Sequence, residues 1–520
     1  MSSPVSTTRY AERVETLDAP AALPPPSLLD QILSRPTAER LTSLPLDSFL
    51  TANTVGEALA AWFARPPEVA DDADRQKLAR KLNAAVARID ELLSSQLDAV
   101  LHHPQFQKLE ASWRGLKYLV EQVPDGANVK VRVLSASWKD LARDQERALE
   151  FDQSALFRKV YSDEFDTPGG EPFGLLLGDY DLTHRPFPDH PTDDLATLNG
   201  LSGVAAAAFA PFVCGVDPRF LELDSFADLD PTIDLGLTFA RPEYVKWRAL
   251  RDTEDARFVA MVIPKLLLRE PHTDAPGHDH RFQYREDTSS PDRKGYLWGN
   301  GSFALGAVAV RAFAENGWLA GIRGVRGGDA DTAGRVTGLP SLEYGPGVSA
   351  FTRSVTDVHL TDRQEKELSD QGFIPLCHMP GSGDAAFYTT PSVQKPKAYD
   401  EPAATANARL SGMLQYMLCV SRIAHYMKAM MRDRVGAFTG PDECEDALQS
   451  WFRRYVISND SASDELKAKF PLREAKAEVR EVPGKPGAYR CSVYLRPHFQ
   501  LDQLSAAIKL TTQLSARAQE

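Results

Sequence analysis

The chain has 520 residues, enough for two or three domains, and its 43% hydrophobic content is sufficient for well-packed cores. A net charge of −13 without a Lys/Arg cluster argues against a duplex nucleic-acid binder. No apolar run approaches the roughly 20 residues that span a bilayer, and the N-terminal sequence does not have the pattern of a secretory signal. Because the five cysteines include no C-x-x-C pair, we expect reduced thiols.

Residues 1–70 are expected to form a flexible N-terminal arm, since proline-rich stretches such as "APAALPPPS" interrupt regular structure. One short helix is predicted inside it, with Ser27 as the cap. Its apolar edge consists of Leu28, Leu29, Ile32 and Leu33. Two interpretations stay open: a linear motif that docks into another protein, or a helix that lies on its own domain.

Residues 71–125 are predicted to form a helical hairpin. Apolar residues recur at helical spacing over 75–101 and again over 106–120. The second helix is expected to pack through the stripe Phe106, Leu109, Trp113, Leu116 and Val120. The adjacent His102 and His103 would point in different directions on a helix, so we predict no metal site there.

Residues 126–400 are predicted to form an α/β body, a mixed sheet flanked by helices. "NVKVRVLSAS" alternates like a half-buried strand, whereas "FGLLLGDY" and "RFVAMVIP" are short apolar runs typical of buried strands. "GWLAGIRGV" is also predicted to be a strand. Helices are predicted at 195–209, 243–251 and Ser302–Asn316.

Residues 401–520 are predicted to contain a long helix over 407–434 followed by a β region. The helix carries five of the eight methionines, which favours a buried core helix over an adaptable exposed surface. "EAKAEVREV" and "AYRCSVYLR" are predicted to form a hairpin. The stretch 504–514 alternates like a strand, although a helix also fits the spacing of Leu501, Leu504 and Ile508. The edge of such a terminal strand needs a cover, either from the same fold or from another chain.

The sequence contains little that suggests chemistry. There is neither a phosphate-binding G-x-x-x-x-G-K-[ST] loop nor a G-x-S-x-G nucleophile elbow. "GHDH", with His278, Asp279 and His280, is the best metal candidate, but its polar loop offers no rigid set of converging ligands. Cys377 and His378 would point to opposite faces of a strand. We therefore predict no catalytic, metal or cofactor-binding residue.

Several longer stretches carry a family resemblance. They are "HHPQFQKLEASWRGLKYLV", "FDQSALFRKVYSDEFDTPGGEPFGLLLGDY", "YLWGNGSFALG", "GFIPLCHMPGSGDAAFYTTPSVQKPKAYD", "NARLSGMLQYMLCVSRIAHYMK" and "NDSASDELKAKFPLREAKAEVREVPGKPGAYRCSVYLRPHFQL". With them the chain resembles, over nearly its whole length, the large subunit of the type VI secretion contractile sheath, the TssC/VipB/EvpB family.

The resemblance implies a structural protein without enzymatic activity or cofactor. It implies a heterodimer with a small sheath subunit (TssB/VipA-like), which polymerises with neighbouring protomers into a helical tube. That tube would surround an inner tube of ring protein (Hcp-like) on a baseplate, contract for effector delivery, and be recycled by an AAA+ ATPase (ClpV-like). The implied place is the bacterial cytoplasm, as part of an envelope-anchored apparatus, without nucleic acid or membrane insertion.

The resemblance also implies roles for two sets of residues. The C-terminal strands would be shared with neighbouring subunits. Their residues are Ala477, Val479, Tyr489, Cys491, Val493, Leu495, Leu504, Ala506, Ile508 and Leu510. The short helix that starts at Ser27 matches the position of the motif that the recycling ATPase recognises.

Two other functions are considered beside this one. The first is the sheath of a phage-tail-like or extracellular contractile injection device, which needs only one type of sheath chain. The second is a loop-metal hydrolase that uses His278 and His280.

Overall fold

A computed structural model of the chain describes residues 46–63, 71–272, 282, 284–290, 293–319, 321–325, 333–340, 343–344, 351–352, 354–379, 382–433, 440–459, 462, 464–483, 489–498 and 508–514. The chain divides into two compact units, residues 1–100 and 101–520. Ser27, Leu28, Leu29, Ile32 and Leu33 lie outside the described residues.

The first unit contains three described helices, α1 (Leu46–Leu50), α2 (Val55–Phe63) and α3 (Asp72–Leu101). The α3 helix confirms the helix predicted at 75–101 and begins three residues earlier. Its first turn is capped because the Asp74 N–H donates to the Asp71 carboxylate over 2.7 Å.

The second unit begins with α4 (Pro104–Glu121), which confirms the second predicted helix. Pro104 occupies the first turn, where its missing N–H costs nothing. Because α3 and α4 belong to different units, their pairing as a hairpin stays a prediction.

The buried face of α4 is not the predicted stripe. Leu109, Trp113 and Val120 are exposed, Trp113 to 65%. Phe106 and Leu116 are only half-buried. The buried residues of the helix are Gly115, Tyr118 and Leu119.

The physical reason for this correction is a close approach of two helices. A Cβ at Gly115 would collide with the ring of Phe303, which belongs to α10 (Ser302–Asn316). The helices therefore meet at the face where α4 has no side chain in the way. Tyr118 adds a hydrogen bond of 2.9 Å from its hydroxyl to the carbonyl of Thr337.

The central sheet has four parallel strands in the order β1 (Leu176–Leu182), β2 (Phe212–Val216), β3 (Val259–Ile263) and β9 (Phe373–Pro375). This sheet confirms the strands predicted in "FGLLLGDY" and "RFVAMVIP", and the mixture of helices and strands confirms the α/β class. Around it lie further helices: α5 (Trp138–Arg147), α6 (Ala155–Phe157) with a π-helix (Arg158–Phe165), α7 (Asp194–Ala208), α8 (Leu235–Ala240), α9 (Val245–Arg251) and α11 (Asp362–Asp370).

Both faces of the sheet are covered, as parallel sheets require. In β3, Met261 and Ile263 face a cluster that includes Trp247 of α9. Ala260 and Val262 alternate with them and face a second cluster, built on α10. Short strands complete the body: β4 (Leu266–Arg269), β5 (Leu297–Gly299), β6 (Arg335–Val336), β7 (Glu343–Tyr344), β8 (Phe351–Thr352), β10 (Cys377–His378) and β11 (Ala385–Ala386).

Two of the predicted strands differ in the structure. The stretch "NVKVRVLSAS" pairs with none of the described strands, although its alternation is that of a strand. The described residues of 317–325 contain no strand either, because the α10 helix ends in an irregular turn there.

The predicted helix at 407–434 is two helices, α12 (Pro402–Ser411) and α13 (Leu414–Asp433). Hydrogen bonds to another segment replace helical ones at the break. The Ser392 N–H donates to the carbonyl of Gly412, and the Leu414 N–H donates to the carbonyl of Thr390. Met417, Met427 and Met431 are buried, which confirms the core interpretation.

The C-terminal part continues with α14 (Pro441–Phe452), α15 (Asp464–Lys469), and three antiparallel strands: β12 (Leu472–Glu481), β13 (Tyr489–Pro497) and β14 (Ile508–Leu514). The predicted hairpin is therefore confirmed. In the part of the chain that the structure describes, no helix is both long enough and apolar enough to cross a membrane.

Candidate functional site

Among the residues that the structure describes, the candidates for chemistry form no site. His278, Asp279 and His280 lie outside the described residues. Within the described ranges, no group of three or more His, Cys, Asp or Glu side chains is placed to hold a metal ion.

Cys377 is a buried thiol rather than a nucleophile. Burial raises its pKa to about 12, so that it carries a proton at neutral pH. Its neighbour His378 points elsewhere, with its ring 6.1 Å from the ring of His359. The two residues therefore form no catalytic pair. All five cysteines are free and buried, as expected for reduced thiols.

The predicted interface residues that the structure describes all lie in the C-terminal sheet. In the β12–β13 pair, Ala477 lies opposite Val493 and Val479 lies opposite Cys491. The alternation of the sequence places these side chains on one face.

That face is buried within the same chain. It packs against α13 and α14 in a single cluster. Its members include Val479, Cys491, Val493 and Leu495 from the sheet, and Met427, Met431, Leu448 and Phe452 from the helices. Burial also raises the pKa of the Cys491 thiol to about 12. These side chains hold the sheet to its own body, so a link between chains would have to use the backbone of the strands.

The β12 edge of the sheet is closed by two side chains of α14. The Gln449 amide donates to the Ala475 carbonyl over 3.0 Å and accepts from the Ala477 N–H at 3.3 Å. The Glu445 carboxylate accepts from the Val479 N–H at 3.0 Å. Since these groups occupy the backbone of β12, no further strand can be added at this edge.

The opposite side of the hairpin is where a third strand pairs. β14 lies along β13 with Leu510 opposite Val493 and Ile508 opposite Leu495. This confirms the strand interpretation for residues 508–514. Leu504 and Ala506 lie outside the described residues, as do the other residues of 499–507 that lead to the strand.

The β12–β13 hairpin is therefore fixed to the body, and only its β13 edge can pair with a further strand. Identical sequences make identical backbone hydrogen bonds, so the β13 edge can accept β14 of its own chain or of another copy. Tyr489 lies at the far end of this ladder, opposite Leu514.

Sequence reasoning missed Glu445 and Gln449. They stand at i and i+4 on one face of α14, which an isolated helix presents to solvent as readily as to a strand. Their role depends on the contact with β12, which lies some 25 to 35 residues further along the chain. A contact between segments so far apart cannot be predicted from the local sequence pattern.

Comparisons with known proteins agree with the sequence resemblance. Residues 83–394 match the VipB family model described as the EvpB tail sheath N-terminal domain. Residues 403–514 match a second VipB model, described as the EvpB tail sheath gpW/gp25-like domain. The type VI secretion system sheath protein TssC1 of Pseudomonas aeruginosa is 36% identical over 439 residues, which is 84% of this chain and 86% of that protein.

Solved structures give much weaker similarities. The baseplate of the anti-feeding prophage matches at 12% identity with a TM-score of 0.31, covering 76% of this chain and 81% of that one. The contracted helical sheath of the same prophage matches at 12% identity with a TM-score of 0.29, covering 64% and 66%. Similarities of this size carry no argument about function.

Proposed function

This chain belongs to the VipB/EvpB family of type VI secretion sheath proteins, and we propose that it is the large structural subunit of such a contractile sheath. The observation that carries the proposal is the similarity to the sheath protein TssC1, which extends over most of both chains. The two family matches reinforce it, since together they reach from residue 83 to residue 514.

In the proposed assembly, the chain forms a heterodimer with a small sheath subunit, and the heterodimers polymerise into a helical tube. The tube surrounds an inner tube of ring protein on a baseplate in the bacterial cytoplasm, anchored to the envelope through the apparatus. The sheath hydrolyses nothing, because its energy lies in a metastable packing of subunits that relaxes when the tube contracts.

The C-terminal sheet is proposed as the link between protomers. A hairpin fixed on α13 and α14, with its β12 edge closed, leaves β13 as the edge at which β14 of a neighbour can pair. A ladder of backbone hydrogen bonds lets the bodies rotate while their connections persist.

The four segments of the prediction keep proposed roles. Residues 1–70 are the arm, 71–125 the helical hairpin, 126–400 the central body and 401–520 the helix and β region that complete the sheath domain. We propose that a AAA+ recycling ATPase binds the apolar face of the short helix predicted in the arm. That predicted helix is capped by Ser27, and its apolar face consists of Leu28, Leu29, Ile32 and Leu33.

Co-expression with a small sheath subunit, followed by electron microscopy, tests the proposal. We expect striated tubules that contain both chains and that need both. Addition of the ATPase and ATP should dismantle them, whereas tubules of the double variant Leu29→Asp/Ile32→Asp should persist. The matched control Leu41→Asp/Leu44→Asp alters the same arm and should dismantle like the unaltered tubules.

Other outcomes separate the alternatives. Tubules from this chain alone would favour the sheath of a phage-tail-like device, which has one chain type. A stable monomer that ignores the small subunit would contradict the sheath function. If the Leu29→Asp/Ile32→Asp tubules are dismantled at the normal rate, the arm is not the ATPase motif.

A further inference from the structure

One segment of the central body has the sequence pattern of a β-strand but is not paired with any described strand. Residues 128–136 read Asn-Val-Lys-Val-Arg-Val-Leu-Ser-Ala, an alternation of β-branched and polar residues. The structure gives this segment, called here the 128–136 segment, no strand partner among the residues it describes.

The segment is nevertheless held in place along one side. Lys130 and Arg132 both pair with the carboxylate of Glu171, Arg132 at 2.9 Å. Arg132 also pairs with Glu164 and stacks over the ring of Phe173. Residues at i and i+2 that reach the same carboxylate lie on the same side of the backbone, as they do in a strand.

Both ends of the segment are anchored as well. The Ala127 N–H closes a turn on the carbonyl of Pro124, and Ser137 caps α5 with a capping box that includes Asp140. The hydroxyl of Tyr180, in the edge strand β1, donates to the carbonyl of Ala136 over 2.7 Å.

The opposite side of the segment is open. On this side Val133 is 69% exposed and Val131 38%. Leu134, which follows Arg132 on the other side, is 53% exposed as well. From Lys130 to Ser135, neither the backbone N–H groups nor the carbonyls bond to any described part of the chain. Monomeric proteins avoid a stretch of this kind, because apolar side chains beside free backbone groups recruit another strand.

We infer that the 128–136 segment is a docking strand which pairs with an extended, alternately apolar strand of the small sheath subunit. The inference rests on the proposed function for the identity of the partner. The free ladder groups require a polypeptide in the extended form, and Val131 and Val133 require apolar side chains on the face that meets them.

A second copy of the same segment fits less well. Two identical segments that pair with each other form a two-fold, closed contact, whereas a helical tube is built from open head-to-tail contacts. Charge is not the attraction either, since Glu164 and Glu171 already neutralise Lys130 and Arg132. The partner strand is therefore recognised by its backbone and its apolar face.

Hydrogen–deuterium exchange of the chain alone and of its complex with the small subunit tests this pairing. We expect the amides of residues 130–135 to exchange freely in the chain alone. In the complex, the amides that join the ladder should exchange at least about 100-fold more slowly.

Three other outcomes would contradict this inference. Unchanged exchange in a complex that forms would overturn the docking strand and leave the sheath function standing. Protection in the chain alone would also overturn it, because the chain would then cover the segment itself. If no complex forms, the proposed function fails, and the docking strand fails with it.

A pair of double variants gives a second readout that does not need the isolated chain. Val131→Asp/Val133→Asp should reduce the small subunit recovered with the tagged chain by about tenfold or more, because charges replace the apolar face of the ladder. The matched control Leu237→Asp/Val245→Asp alters two other residues that are 70% and 60% exposed, and it should leave recovery within about twofold. Equal recovery with both variants would overturn the proposal.

Discussion

His425 is a buried base at the place where α13 meets α7 and the π-helix. Its Nε2 donates to the carbonyl of Ala208 over 2.9 Å, and its ring lies 5.3 Å from the ring of Phe165. Burial lowers its pKa to about 4, and the nearby cations of Arg422 and Lys428 add to the effect. The neutral imidazole is therefore part of the folded core.

The lowered pKa predicts a loss of stability in mild acid. The unfolded chain takes up a proton near pH 6.5, while the folded chain does so only near pH 4. The contribution of His425 is thus complete above about pH 6.5 and is lost as the pH falls towards 4. At pH 5 the difference amounts to about 2 kcal/mol in the free energy of unfolding.

His425→Gln keeps a donor for Ala208 but does not titrate. Urea unfolding followed by tryptophan fluorescence should show that the unaltered chain loses about 2 kcal/mol more than the variant between pH 7 and pH 5. Parallel losses in both proteins would show that His425 is not the acid-sensitive group.

At the scale of elements, the α14–β12 contact decides how the C-terminal sheet can grow. Gln449 and Glu445 bind the backbone of β12 where an added strand would otherwise pair. The polar outer face adds a cross-strand ion pair between Glu474 and Arg496. A strand can therefore join the sheet only on the side away from β12, where β14 pairs with β13.

Removal of the Gln449 amide should weaken this closure. Gln449→Met keeps the length of the side chain but leaves the Ala475 carbonyl and the Ala477 N–H without their partner. We expect a loss of about 1–3 kcal/mol in the free energy of unfolding and faster exchange of the Ala477 amide. Asp446→Asn, at an exposed position of the same helix, is the control and should change neither quantity. An unaltered Ala477 exchange rate in Gln449→Met would refute the closure.

Elements were easier to predict from the sequence than the faces they bury. Periodicity located α3, α4 and the β12–β13 hairpin to within a few residues, because each is amphipathic over many residues. The buried face of α4 was predicted wrongly, since the largest apolar residues suggested a stripe while Gly115 admits Phe303 on another side. The break between α12 and α13 at Gly412 was not predicted, because it depends on hydrogen bonds to residues 390–392.

The strands of the candidate site could be predicted from the sequence, whereas the residues that close its edge could not. The alternation over 474–481 and 489–495 gave the strands, and the family resemblance gave their proposed role. The closing residues Glu445 and Gln449 depend on a contact between distant segments, which no local pattern reveals. The 128–136 segment has the pattern of a strand, yet no described strand of the chain pairs with it.

At the scale of the whole molecule, the central body and the C-terminal sheet are tied together through α13. Lys428 pairs with Asp166 at 2.8 Å, and Arg432 donates to the carbonyls of Phe165 and Thr167 over 2.7 and 2.6 Å. The Lys428 ammonium also lies 3.8 Å from the ring centre of Phe165. A displacement of the sheet would therefore be passed on to the α/β body, which the proposed link between sheath subunits would require.

The most direct test of a backbone ladder between subunits is a covalent bond across the β13–β14 register. Ser492 lies opposite Thr511, and the five native cysteines are all buried. The double variant Ser492→Cys/Thr511→Cys is assembled with the small subunit, oxidised, and run on a denaturing gel without reductant. If protomers exchange strands, the large subunit runs as a series of covalent multimers, while Ser492→Cys alone gives none. A tubule that yields only single chains with an internal bond would contradict the account.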